Sequence, residues 1–224
     1  MTPAEGAADG FTDGELGDRL TAQLEFLLEI DRLKLIERRS FVTDASRREN
    51  SAEHSWHLAM LALVLSEHAR DGVDIARVVA MVLVHDIVEI DAGDVFVYAD
   101  EAAHAAKLER ETLAAERIFD LLPRDQVPIF RALWDEYEAG ATDDARFAAA
   151  LDRLQPLLLN IAAGGATWRE HGITADRVVE RNALIGDGAP ALWDRARELI
   201  RDAVEQGIVD PGPPGSDAAT APGT

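Results

Sequence analysis

His54, His85, Asp86 and Asp152 are the residues of this chain whose types and surroundings best suit chemistry. Two imidazoles and two carboxylates make a nitrogen–oxygen donor set for one divalent ion, suited to Mn, Co, Fe, Zn or Ni and less readily to Mg. Each lies in apolar company. His54 is in line with Leu58, Leu61 and Leu65, the pair His85–Asp86 closes the apolar run VVAMVLV, and Asp152 is flanked by Ala149, Leu151, Leu154 and Leu157. Burying such groups is costly unless they are paired or bound to a metal. Taken singly, each also fits a structural role, as a satisfied core histidine or a capping aspartate. One shared ion accounts for all of them together. Neighbouring helical positions diverge by about 100°, so His85 and Asp86 can reach one ion only at a helix edge.

The bulk properties narrow what else the chain can do. Its 224 residues suffice for one sizeable core and are few for two ordinary domains. With no cysteine, disulfides and thiolate metal sites are excluded, and a metal must rely on N and O ligands. The 42 acidic and 22 basic residues give a net charge of −20, which repels nucleic-acid backbones and anionic membranes, so neither is an expected partner. A phosphate site must then be a deliberate basic cluster. Lys34, Arg38, Arg39, Arg47 and Arg48 form one, which reads equally well as a solvated basic stretch pairing with acidic neighbours. There is no run of about 18 apolar residues and no basic-then-apolar leader, so the expected location is cytoplasmic.

The elements that must position these groups read as helix after helix. Residues 1–12 and 209–224 are rich in small residues, Gly and Pro and are expected to be flexible tails around one domain at 13–208. Helical spacing from Leu20 to Ile36 predicts a first helix over 13–37. Asn50 or Ser51 caps a second, to about residue 70. ARVVAMVLVHDIVE is apolar nearly all round and reads as a central buried helix. Amphipathic helices follow at 101–121 and 124–139, broken around Pro123. A helix over 143–163 carries Pro156, with a kink expected at 152–156, and two more helices at 175–184 and 190–206 close the domain. VFVY at 95–98 is the single strand candidate. The fold class is all-α.

Three segments, ENSAEHSWHLAMLAL, LVHDIVEIDAGD and FAAALDRLQPLLLN, together resemble the HD-domain metal-dependent phosphohydrolases, and RLKLIERRSF upstream is similar to their small 5′-deoxynucleotidase-like branch. The resemblance covers roughly residues 20–170. It implies an all-helical bundle in which His54, His85, Asp86 and Asp152 hold one divalent metal, and a 5′-nucleotidase activity driven by metal-activated water. It further implies that Glu89 and Asp94 are the catalytic carboxylates and that Arg38 contacts the substrate phosphate. The residues agree with those roles. Glu89 lies one helical turn beyond His85 and Asp86, Asp94 follows Gly93 in a turn that can fold back, and a guanidinium fork suits phosphate. Arg39 departs from the pattern, because the position can be a tryptophan that packs on the sugar and favours deoxyribose. Deoxy-selectivity therefore does not carry over, and a second arginine there suits a more heavily phosphorylated or differently shaped substrate.

The other histidines set a limit. Dinuclear members need further ligands between the HD pair and the last Asp, and only His104 lies there, in an amphipathic segment where exposure is expected. One metal is expected. His57 shares the helix of His54 as a second-layer partner or a packing residue, and His68 and His171 have no ligand-like surroundings. Trp56, Trp134, Trp168 and Trp193 are too scattered for a base-stacking platform and read as core or interface residues. TWREH at 167–171 has no assigned role. The alternatives are hydrolysis of another small phosphate ester and a non-catalytic metal-binding helical module. The resemblance and the apolar helices also favour a homodimer.

Overall fold

The computed structural model describes the backbone of residues 13–94, 98 and 101–212, with the side chains of all these except 13 and 101–106. Helices dominate: α1 (Asp13–Ile30), α2 (Ser51–Val64), α3 (Ile75–Val84), α4 (Glu89–Ala92), α5 (Glu101–Phe119), α6 (Val127–Ala139), α7 (Asp143–Ala162), α8 (Ala166–His171), α9 (Ala175–Asn182), α10 (Ile185–Gly188) and α11 (Pro190–Glu205). A hairpin of β1 (Glu37–Phe41) and β2 (Arg48–Asn50) interrupts them. The all-α class expected from the sequence is what the chain adopts. Among the described residues no helix is long and apolar enough to cross a membrane.

The twenty-residue α7 is the central post, packed on α2, α3, α6, α9, α10, α11 and β1. Its periodicity explains this. Phe147, Ala148, Leu151 and Leu154 turn one face into the core, and Ala145, Ala150 and Leu157 extend burial round the helix. Thr142 caps it, accepting from the Ala145 N–H at 3.1 Å. Gly188 allows α10 to lie against it, since a Cβ there would sit 2.1 Å from the Arg146 carbonyl oxygen. Phe26 of α1 meets Phe130 of α6 edge-on at 5.3 Å between centroids, closing the opposite end of the core.

Several elements differ from the sequence expectation, each for a local reason. The first helix stops at Ile30, tightens into a 3₁₀ turn at Asp31–Leu35 and becomes β1, instead of running to 37. Glu37–Phe41 is polar enough to hide as a strand, and the two strands pair with an irregular register between Glu37 and Phe41. The second helix ends at Val64, with a 3₁₀ turn at Ser66–His68. The run expected as one buried helix divides: α3 ends at Val84, and i→i+3 bonds, including Ile87 N–H to the Val84 carbonyl (3.1 Å) and Glu89 N–H to the Asp86 carbonyl (3.0 Å), carry the chain into α4. The strand candidate at 95–98 lies, apart from Tyr98, outside the described residues. Of the expected tails, 1–12 and 213–224 also lie outside them, whereas Val209 is buried and the Ala175 N–H donates to the Asp210 carbonyl at 2.8 Å.

Candidate active site

Asn50 ends β2 and starts α2. Its side-chain oxygen accepts from the Glu53 N–H at 3.0 Å, and Glu53 returns a bond to the Asn50 N–H at 3.3 Å. That reciprocal cap fixes the first turn of α2, where His54 points into the core with no exposed surface. His85 and Asp86 follow the last residue of α3, at the point where the helical bonding tightens. Asp152 projects from the middle of α7. One ligand atom each from His54, His85 and Asp152 falls within 4.8 Å of the others. Asp86 borders this group, with Oδ1 3.0 Å from His85 Nε2 and Oδ2 3.9 Å from His54 Nε2, while Arg38 Nη1 donates to that Oδ2 at 2.8 Å.

The hydrogen bonds settle which imidazole nitrogens face inward. His85 Nδ1–H donates to the Val82 carbonyl at 2.9 Å, so Nε2 carries the lone pair, and it is buried with no hydrogen-bond partner among the protein groups. For His54 the decision comes from Gln155. The Gln155 amide nitrogen donates to Glu49 at 2.6 Å and to His57 Nδ1 at 3.1 Å, which leaves its oxygen facing His54 Nδ1 at 3.0 Å. His54 therefore donates from Nδ1, and its Nε2 lone pair lies 3.0 Å from Asp152 Oδ1. Two acceptors that close require a proton or a cation between them. Burial, with the Arg38 charge nearby, pushes His54 down to about 3, so the proton is disfavoured and the residues fit a metal ion.

The remaining charges are arranged around Arg38. It projects inward from β1, and its Nη1 lies 3.9 Å from both Glu89 Oε2 and Asp94 Oδ1. Its Nε–H is buried without a protein acceptor. Burial raises the Asp86 carboxyl to about 7 against the pull of Arg38. Glu89 is 2% exposed, accepts from Ser51 Oγ at 2.7 Å, and is raised by burial and by Asp86. Asp94 reaches the group because Gly93 takes φ 76°, which ends α4 and turns the chain back. Arg39, the next residue of β1, is exposed at the lip of the same cavity, which encloses about 400 Å³.

All eight residues singled out by sequence therefore border one cavity or the buried cluster at its floor. The basic stretch does not stay together: Lys34 pairs with Asp31, Arg47 with Glu53 and Arg48 with Glu170, leaving Arg38 and Arg39 at the cavity. Sequence reasoning missed Gln155, although a glutamine three residues after Asp152 among leucines is the same signal that singled out the aspartate. Glu49, Ser51 as the donor to Glu89, and Tyr137, whose ring lies 4.8 Å from that of His85, carried no comparable signal. The His104 side chain lies outside the described residues.

Residues 30–193 match the family profile of the HD domain. The chain is 32% identical to the human 5′-deoxynucleotidase HDDC2 over 136 residues, 60% of this chain and 65% of that protein, so the match spans slightly under two thirds of the relative. A 5′-deoxynucleotidase of Erwinia tasmaniensis is 31% identical over 149 residues, 62% of this chain and 74% of that one. The crystal structure of a "predicted metal-dependent phosphohydrolase" from Magnetospirillum magnetotacticum superposes with a TM-score of 0.81 at 52% identity, covering 87% of this chain and all of the other.

Proposed function

Because this chain belongs to the HD domain family, we propose that it is a phosphomonoesterase that removes the 5′-phosphate of a nucleoside monophosphate, with one divalent metal held by His54, His85, Asp86 and Asp152. The observation that carries this reading is the pair of facing acceptors, His54 Nε2 and Asp152 Oδ1 at 3.0 Å, beside the orphaned His85 Nε2. The 5′-deoxynucleotidase names of two relatives support the substrate class. The donor set favours Mn, Co, Fe, Zn or Ni. When bound, the ion supplies Lewis acidity toward water and phosphoryl oxygens.

The chain's own residues supply the rest. Arg38 holds the phosphate, with its buried Nε–H as a spare donor toward an anion. Hydrolysis takes a proton from the attacking water and returns one to the departing 5′-oxygen, and Glu89 and Asp94 carry those protons. Ser51 fixes the Glu89 carboxylate through one oxygen and leaves the other for this work. A metal site with a purely structural role has no need of these two extra carboxylates.

The test is phosphate release from a panel of ribo- and deoxynucleoside monophosphates by protein loaded with Mn²⁺ or Co²⁺. Glu89→Gln should abolish release while retaining about one ion per chain by elemental analysis. Full activity in that variant removes Glu89 from the chemistry, and wild-type protein that holds metal yet cleaves no phosphate ester refutes the catalytic reading. We further infer a homodimer through α1, whose Leu16, Leu20, Leu24, Leu27 and Leu28 are each more than half exposed, an apolar stripe of the kind a partner covers. Light scattering on the eluting protein measures the mass directly.

A further inference from the structure

The cluster at the floor uses one part of the cavity, and three cations remain unused. Arg39 of β1, Arg153 of α7 and Arg181 near the end of α9 also line it, and among the described residues none makes an ion pair with a carboxylate. In a chain of net charge −20, three cations that line one cavity without a carboxylate at ion-pair distance suit an anion, although the charge of Arg153 also acts on Asp152, and Glu138 and Asp187 line the same cavity. Their setting is built. Thr167 Oγ1 donates to the Arg39 carbonyl at 3.0 Å, and Arg48 donates to the same oxygen. Trp168, buried beside Thr167 on α8, hydrogen-bonds to Tyr98, and the charges of Arg177, Arg153 and Arg181 all act on that phenol. The TWREH segment thus gains a role: through Thr167, Trp168 and Glu170, which pairs with Arg48 at 2.8 Å, α8 braces this wall.

We propose that this wall is a second anion subsite, and that the preferred substrate carries two anionic groups: the phosphate ester that is cleaved, and a second phosphate or carboxylate taken by Arg39, Arg153 and Arg181. This rests on the phosphomonoesterase reading above. The reaction is unchanged: water adds to phosphorus, the P–O bond to the substrate breaks, the departing oxygen gains a proton, and the second anionic group leaves intact. Guanidinium forks suit either anion.

The test compares adenosine 5′-monophosphate, adenosine 3′,5′-bisphosphate and orotidine 5′-monophosphate, whose base bears a carboxylate, as substrates of the metal-loaded full chain. At least one of the two doubly anionic compounds should exceed the monophosphate tenfold or more in kcat/KM, and which one does so identifies the second group. Arg153→Met and the exposed Arg181→Met should each cut that preference at least fivefold, through KM rather than kcat. Equal turnover of all three compounds, or equal losses on all three in the variants, overturns the proposal. If no ester is cleaved, the catalytic reading fails separately, and the subsite is judged by calorimetric titration of adenosine 3′,5′-bisphosphate. Weaker binding to the variants than to wild type then supports it, and equal binding overturns it.

Discussion

Replacing Gln155 with Met keeps the length and approximate volume of the side chain and removes both its acceptor and its donors. In the folded protein the His54 Nδ1–H loses its acceptor, and Glu49, 3% exposed and with Oε2 already unpartnered, loses the donor to its other oxygen. The consequence for the metal site is loss of the bond that fixes the His54 tautomer and ring angle. Outer-layer bonds of this kind are worth about 10–100-fold in metal affinity, or about 1.4–2.7 kcal/mol. Stranding the two buried groups costs about 1–3 kcal/mol each in stability. Affinity is read by calorimetric titration of Mn²⁺ or Co²⁺ into chelator-treated protein, and stability by urea denaturation in chelator. A reciprocal exchange separates the two effects. In Glu49→Gln with Gln155→Glu, residue 155 still accepts from His54 and residue 49 can donate to it, so metal affinity should return to within a few-fold of wild type. Gln155→Met protein that binds metal as tightly as wild type would refute the tautomer reasoning.

Other consequences can be measured with the same protein. Removing the metal should lower Tm, because an ion held as proposed would join α2, the end of α3 and α7. At a free-metal level 100 times Kd the linkage is about 2.7 kcal/mol, which for a domain of this size is about 5–10 °C by calorimetry. Arg38→Lys keeps the charge and loses the fork, and should lower kcat/KM for nucleoside monophosphates at least tenfold in a phosphate-release assay. Gly188→Ala forces a Cβ against the Arg146 carbonyl, a backbone contact that cannot turn aside. It should cost about 1–3 kcal/mol in urea denaturation, with activity per folded molecule little changed.

The helical class was legible because nearly every helix carries its own apolar periodicity, and the ligand-type residues were legible because they interrupt it. His54 and Asp152 are polar residues on stripes that are otherwise Leu and Ala, a conflict that invites a functional explanation. The hairpin was illegible for the opposite reason. Glu37–Phe41 has no apolar alternation to announce a strand, since the inward residues Arg38 and Ser40 are themselves polar. The split after Val84 was hidden because IleValGluIle continues the apolar pattern whether the backbone bonds run i→i+4 or i→i+3. Gln155 shows that the interruption rule reaches further than it was applied. Glu49 marks where it ends, because an acid in the polar stretch RREN looks solvated until Gln155 is found above it.

Pro156 lies within α7, and having no N–H it cannot supply the helical bond to the carbonyl four residues earlier. That carbonyl belongs to Asp152, the residue whose carboxylate meets His54. The backbone ladder of the central post thus lacks a bond at the proposed ligand, and Asn160 Nδ2 turns back to the Pro156 carbonyl at 2.8 Å on the far side of the gap. The helix runs unbroken past that missing rung, so the two turns on either side of it share one backbone bond fewer than the rest of the post. An ion held as proposed by Asp152, by His54 of α2 and by His85 at the end of α3 would span that gap from the side, so amide exchange around Pro156 is expected to slow when metal is added.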